Sequence, residues 1–166
     1  MEKVTEIEKV KKFNMEENMH SHTTVLNLCN WSVYFTVEGV EKKIKANGTI
    51  DLLNREIVSA CNNNDIFFAG TGQGSHARVY IENEDIRKHV GFESEDGKRK
   101  QNILNDEKCQ YILDLKTQKT FEKHVTEEII TLHEKDKIMT YARKIKLNDF
   151  EKIDFLEKHC SKKYRI

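Results

Sequence analysis

The chain reads as an α+β protein, with an antiparallel sheet and a covering helix in its N-terminal half and a small helical assembly in its C-terminal half. Three observations predict this. Residues 24–37, TVLNLCNWSVYFTV, are dense in the β-branched and aromatic side chains that suit a pleated, half-buried surface. Short apolar runs punctuated by Gly and Asn continue to Ile81, the spacing of successive hairpins. From Asn105 onward apolar residues recur at intervals of three and four, the period of a helix that buries one face.

At 166 residues one compact domain is expected, in three regions: 1–23 an N-terminal helix and linker, 24–97 the sheet region, 98–166 the helical region. Val4, Ile7 and Val10 mark a short amphipathic helix, and residues 14–23 are polar and irregular. Trp31, Val33 and Phe35 are expected on one face of a long strand. Glu38 and Gly39 turn the chain into a second strand over 42–46, and Asn47-Gly48 is a two-residue hairpin signal leading into 49–52. Asn54 sits at an N-cap position, with Ile57, Ala60 and Cys61 on the apolar face of a brief helix that ends in Asn62, Asn63 and Asn64. Residues 66–68 and 79–81 read as the arms of another hairpin. Residues 84–90 form a turn or two of helix stopped at Gly91, and a solvated loop follows. Cys109, Ile112 and Leu113 line a helix face that Phe121 and Val125 continue. Thr131 with Glu134, and Asn148 with Glu151, each place a capping side chain three residues before a carboxylate that reaches back. Ile138, Ala142 and Ile145 then line one helix, and Ile153, Leu156 and Cys160 the next.

Composition narrows the function classes. The 37% apolar and 34% charged residues describe a well-solvated globular chain rather than a disordered one. No run approaches the roughly 20 apolar residues of a bilayer span, and MEKVTEIEKVKK carries charge where a signal peptide needs its apolar stretch, so a soluble intracellular protein is expected. Cys29, Cys61, Cys109 and Cys160 lack CxxC or CxxH spacing, which argues for buried free thiols and against a zinc clip; no metal site is expected. Sixteen acids face eleven bases in residues 1–97, and twelve acids face seventeen bases in 98–166. Mutual neutralisation of the halves is the plainer reading, an acidic partner or nucleic acid the sharper one.

The most informative stretch is DIFFAGTGQGSHARVYI, residues 65–81, whose loop holds three of the seven glycines. Read as a hairpin tip, it projects Gly70, Gly72, Gln73, Gly74, Ser75, His76 and Arg78 as a candidate binding surface. The glycines allow positive φ and close backbone approach, and the polar side chains crowd beside them as donors for an anion or a partner protein. Asn62, Asn63 and Asn64 at the neighbouring sheet end, and the basic run Lys98, Arg99 and Lys100, are expected to extend this surface. A plain mobile turn is the alternative. Dinucleotide and P-loop motifs fit poorly, because their glycines precede a helix whose N-terminus binds phosphate, and here a strand follows.

Other motifs carry less. His22-Thr23-Thr24, His124-Val125-Thr126 and His159-Cys160-Ser161 have the letters of two-histidine phosphoesterases, but that chemistry needs neighbouring strands and His124 lies in a helical stretch. His20 and His22 form an HxH pair without a third ligand cluster. A helix-turn-helix over 131–160 would present Asp149, Glu151, Asp154 and Glu157 to DNA, the wrong charge for a major groove. Trp31 suits core packing better than base stacking. No catalytic residue and no cofactor is assigned.

CNWSVYF at 29–35, NNNDIFFAGTGQGSHARVYI at 62–81 and RKHVGFESEDGKRKQ at 87–101 together resemble small uncharacterised proteins of phages, prophages and mobile elements of low-GC Gram-positive bacteria. The resemblance spans roughly residues 24–160 and brings no catalytic residues with it. It implies an accessory protein of the bacterial host cytoplasm that acts by stoichiometric binding, inhibiting a host defence or regulatory complex, either protein or ribonucleoprotein. A nucleotide sponge and a nucleic-acid-binding regulator are the alternatives.

Overall fold

A computed structural model describes residues 12–165; the helix expected around Val4, Ile7 and Val10 lies outside them. In chain order the elements are α1 (Met15–Asn18), β1 (His22–Asn27), β2 (Val33–Val37), β3 (Val40–Ile44), β4 (Thr49–Leu53), α2 (Asn54–Asn62), α3 (Ile66–Ala69), β5 (Val79–Ile81), α4 (Glu84–His89), α5 (Asp106–Leu113), α6 (Gln118–Glu128), α7 (Leu132–Lys144) and α8 (Phe150–Cys160). The class is α+β, with the strands in the N-terminal half and helices after them. No helix among the described residues is long and apolar enough to cross a membrane.

β1 is the centre of a three-stranded antiparallel sheet in the order β4-β1-β5, with Val25 opposite both Ile50 and Ile81. β2 and β3 form a separate hairpin in which Val33 faces Ile44 and Val37 faces Val40. Alternation along β2 buries Val33, Phe35 and Val37 and leaves Tyr34 and Thr36 outside. Phe35 meets Phe68 edge to face at 5.4 Å, and Val25, Leu52, Ile57, Ile81 and Ile86 complete that core. A second core lies among α5 to α8, built from Ile112, Phe121, Val125, Ile138, Met139 and Leu156. Leu28, Ala77 and Ile103 form a small third cluster.

Several expectations need correction. The strand expected over 24–37 is two strands in two sheets. Asn27 holds the break between them: its Nδ2 donates to the carbonyls of Trp31 at 2.7 Å and Lys45 at 3.0 Å, and its Oδ1 accepts from Cys29 N at 2.9 Å. Trp31 therefore leaves the face shared by Val33 and Phe35 and is 36% exposed. Asn47-Gly48 does form a turn, with Asn47 at φ +53°, but β4 goes on to pair with β1 rather than with β3. Residues 66–69 are a helical turn, begun by Asp65 Oδ1 accepting from Phe67 N at 2.9 Å, so no hairpin spans 66–81. The expected linker 14–23 holds α1 and the start of β1.

The capping box at Thr131 and Glu134 is present: Thr131 N donates to Glu134 Oε2 at 3.0 Å, and Glu134 N to Thr131 Oγ1 at 3.4 Å. α8 begins one residue later than expected. Asp149, rather than Asn148, accepts from Lys152 N at 3.1 Å. Asn54 is the first residue of α2 rather than its cap, and its side chain instead ties Thr23 Oγ1 at 2.6 Å to the carbonyl of Asn18 at 2.8 Å.

Candidate functional site

The glycine segment is not a projecting finger. Thr71 N donates to Ser75 O at 2.8 Å, His76 N to Asn102 O at 2.7 Å, and Gln101 Nε2 to Gly74 O at 2.8 Å. Gly70, at φ +59°, lies so close to the returning chain that a Cβ there would sit 2.0 Å from Ser75 O. A Cβ on Gly74 would meet Gln101 Nε2 at 2.6 Å and the Phe92 ring at 2.7 Å. Gly74, His76 and Ala77 are buried, Gly70, Ser75 and Arg78 are half-buried, and Thr71, Gly72 and Gln73 stay exposed. Gly70 and Gly74 serve close self-packing and Gly72 does not, so of the surface expected of Gly70, Gly72, Gln73, Gly74, Ser75, His76 and Arg78 only Gly72 and Gln73 are fully exposed, and Gly74 and His76 are buried.

Its expected supports are also engaged or apart. Arg99 donates to the carbonyls of Gly91 at 2.9 Å and Phe92 at 3.2 Å, and to Gln73 Oε1 at 3.4 Å, fastening residues 91–101 over the glycine segment. Lys100 lies 3.6 Å from Glu84 and 3.8 Å from Glu93, and Lys98 lies 3.8 Å from Asp96. Asn62, Asn63 and Asn64 are exposed at the C-terminal end of α2, where Asn64 turns the chain at φ +53°. His124 sits within α6 and His22 opens β1, so the HxT letters fall on unlike elements.

A run of polar side chains joins the two halves. Glu134, only 1% exposed, takes His76 Nδ1 at 2.5 Å on one oxygen and the amides of Ile130 and Thr131, each at 3.0 Å, on the other. A carboxylate only accepts, so Nδ1 carries the proton and Nε2 turns to Asn102 Nδ2 at 3.5 Å. Asn102 Oδ1 accepts from Lys108 Nζ at 2.5 Å, and Lys108 pairs with Glu128. Beside them His133 is buried with Nδ1 2.8 Å from Thr131 Oγ1. Burial holds its imidazole below the ordinary value, and the charges of Arg78 and His76 act the same way against Glu134 and the Ala77 carbonyl. His76, His133 and Glu134 are buried and Lys108 and Glu128 half-buried, and the bonds among them make this run a seam of the fold.

The four cysteines are free and buried. Desolvation pushes the thiols of Cys29 and Cys160 up to about 11 and those of Cys61 and Cys109 up to about 12, so thiolate is scarce at neutral pH. Among the described residues no cluster of three or more His, Cys, Asp or Glu side chains is placed to hold a metal.

Farther along the same junction the seam opens into a cleft of about 530 Å³. Its floor includes Leu26 and Leu28 from β1 and the residue after it, and its walls include Asn30, Asn47, Asn105, Lys137, Thr140 and Lys144. Helical spacing explains one wall: positions 137, 140, 141 and 144 of α7 fall on one face. Asn30 is held from both sides, its Nδ2 donating to Asp136 Oδ2 at 2.8 Å and Thr140 Oγ1 at 3.2 Å while its Oδ1 accepts from Asn47 Nδ2 at 3.1 Å. Asp106 lies at the mouth, in the first turn of α5. Lys137 Nζ approaches its Oδ1 at 3.1 Å and Lys144 Nζ its Oδ2 at 3.5 Å. Burial alone would raise the Asp106 carboxyl; the hydrogen bond and charge of Lys137, and then Lys144, outweigh it and hold the group below its ordinary value.

Lys137 is 8% exposed, whereas the Asp106 side chain is 57% exposed. A buried ammonium thus depends on an anion that water already reaches. None of these lining residues was expected as a binding residue from the sequence, which marked Asn47 only as part of a turn. The available signal was faint: Lys137 sits next to the core residues Ile138 and Met139, an unusual flank for a lysine. No protein-family model, no curated protein and no solved structure matches the chain.

Proposed function

We propose that the protein acts by stoichiometric binding and that its binding site is the cleft between the sheet half and the helical half. The single observation that carries this is the cleft itself: a preformed, half-open cavity of about 530 Å³ with an apolar floor and converging amide, hydroxyl and ammonium groups. Small-molecule sites have this size and this mixture. Scarce thiolate and an inward-turned histidine seam favour holding a ligand over transforming one. The reading takes up the nucleotide-sponge alternative rather than the leading expectation of an inhibitor of a host complex.

Incubation with a small-molecule extract of a low-GC Gram-positive bacterium should raise the melting temperature, and heating the washed complex should release the ligand chemically intact. Thr140→Trp, which fills the cleft from an exposed position of α7, should remove the shift while leaving the unliganded melting temperature nearly unchanged. An extract that produces no shift, or a shift that survives Thr140→Trp, would count against the cleft.

A second reading, inhibition of a host complex through a protein surface, is favoured by the exposure of Trp31 and of Tyr34, the latter 51% exposed on the outer face of the β2–β3 hairpin. It predicts that Tyr34→Asp abolishes capture of a host complex and that Thr140→Trp does not.

A further inference from the structure

We infer that the ligand of this cleft is a nucleotide-class molecule whose phosphate takes the place of the Asp106 carboxylate between Lys137 and Lys144. This rests on the cleft being the binding site and names the chemistry it selects. The two ammoniums reach opposite oxygens of one carboxylate, at 3.1 and 3.5 Å. Two positive charges around a single monoanion leave one charge unmatched, and a phosphate monoester, close to a dianion at neutral pH, matches both.

The exchange is asymmetric in a way that favours a visiting anion. The Lys137 side chain, 10% exposed, is held in the cleft wall and cannot swing outward as Asp106 can, so it retains its demand for negative charge. Asp106 is more than half exposed and can rotate outward and be solvated. The first-turn amides of α5, of which Asn105 Oδ1 takes only that of Lys108 at 2.8 Å, lie at the same mouth with the favourable end of the helix dipole. Glu107 also lines the mouth and opposes an anion, but it is exposed and screened by salt.

The rest of the cleft suits a ring with polar edges. Leu26 supplies an apolar surface with the buried Leu28 behind it, Asn47 and Thr140 border it with amide and hydroxyl groups, and the half-buried Tyr141 adds an aromatic ring whose hydroxyl is already bonded to Gln110. Asn30, pinned between Asp136, Thr140 and Asn47, fixes the geometry of that border.

The test uses the full chain in calorimetry and thermal unfolding at fixed ionic strength, with AMP, adenosine and inorganic phosphate as probes. AMP should bind saturably, phosphate more weakly, and adenosine at least tenfold more weakly than AMP. Lys144→Gln, an exposed substitution that leaves the fold intact, should weaken AMP at least tenfold and adenosine by less than twofold. Asp106→Asn removes the internal competitor and should tighten AMP severalfold, a gain that a merely structural role for Asp106 does not produce. The inference is overturned if AMP and phosphate fail to bind at millimolar concentration, or if AMP binding is indifferent to both substitutions. If adenosine or another uncharged molecule binds as tightly as AMP, and Thr140→Trp abolishes it, the cleft stands and the phosphate assignment falls. If extract, AMP and adenosine all leave the protein unshifted, both fall.

Discussion

Where α7 borders the junction between the halves of this molecule, its two ends are built from similar chemistry. At one end Glu134 of α7 meets His76; at the other Lys137 and Lys144 of the same helix meet Asp106. Both cross from α7 to another segment of chain, and both bring opposite partial or full charges together. They differ in where the partners stand relative to water. His76 and Glu134 are both buried, at 9% and 1% exposure, so neither can be solvated if the other leaves. The Asp106 end has Lys137 buried and both Asp106 and Lys144 largely in solvent, beside an open cavity. A charge pair with two dry members fastens the fold. One with a single dry member can exchange its wet partner for something from outside.

Removing a dry partner should give the largest effect. Glu134→Ala leaves His76 facing an apolar void and strips the amides of Ile130 and Thr131 of their acceptor, so it should cost about 3–5 kcal/mol. Urea unfolding measures this directly. A loss below about 1 kcal/mol would mean that the closed end is wetter than its geometry implies, and the contrast between the two ends would dissolve.

The next effect sharpens where the closed end begins. Gly70→Ala forces a Cβ to within 2.0 Å of Ser75 O and 2.7 Å of Ala77 N at a positive φ. A left-handed residue costs roughly 1–2 kcal/mol and overpacking roughly 1–3, so a loss of about 2–4 kcal/mol is expected. Gly72→Ala has open space around it and should show the left-handed cost alone. Equal losses for the two substitutions would return residues 70–78 to the status of a free loop.

This pair of glycines also marks what the sequence could and could not convey. Local signals were legible where a residue acts on its own neighbours: Thr131 and Glu134 announce their capping box, and the period of Ile138 and Ala142 announces a buried helix face. The α+β class followed from such signals. What failed were statements about partners distant in the chain. The composition of 24–37 is that of strand throughout, and nothing in it says that Asn27 reaches the carbonyl of Lys45 and divides it. Glycines at 70, 72 and 74 announce unusual φ angles but not what fills the space so freed, which is the chain's own backbone at Gly70, Gln101 and Phe92 at Gly74, and open space at Gly72. The cleft was illegible for the same reason, since Asn30, Asp106 and Lys137 become a site only when α5, α7 and the end of β1 meet.

Acidification should separate the ends further. His133 is held below its ordinary value by burial first and then by Arg78 and His76, so the unfolded chain takes up its proton more readily than the folded one. Its contribution is whole above the unfolded value of about 6.5 and is lost as pH falls through the depressed folded value. Glu128 and Asp136 follow lower down. Burial would raise both, but Lys108 and His124 hold Glu128 down, as Lys162 and Asn30 do Asp136, so their contributions disappear as pH falls through the carboxylate range. Stability should therefore be level near pH 7 to 8 and decline in two stages. His133→Gln should remove the first stage, and a profile unchanged by it would exclude His133 as its source.

The smallest effect on stability is expected where the functional claim is greatest. Asp106→Asn takes a charge from Lys137, and a buried ammonium stripped of its partner is normally a severe loss. Here the amide oxygen still accepts a hydrogen bond, Lys137 borders a cavity that admits water, and the Asp106 carboxylate was already largely solvated. The expected cost is about 1 kcal/mol or less, in the range of exposed pairs. Unfolding of Asp106→Asn beside Glu134→Ala, in the same buffer, gives the decisive ratio. If the two substitutions cost the same, Asp106 is as structural as Glu134, and a ligand anion has no replaceable partner to displace.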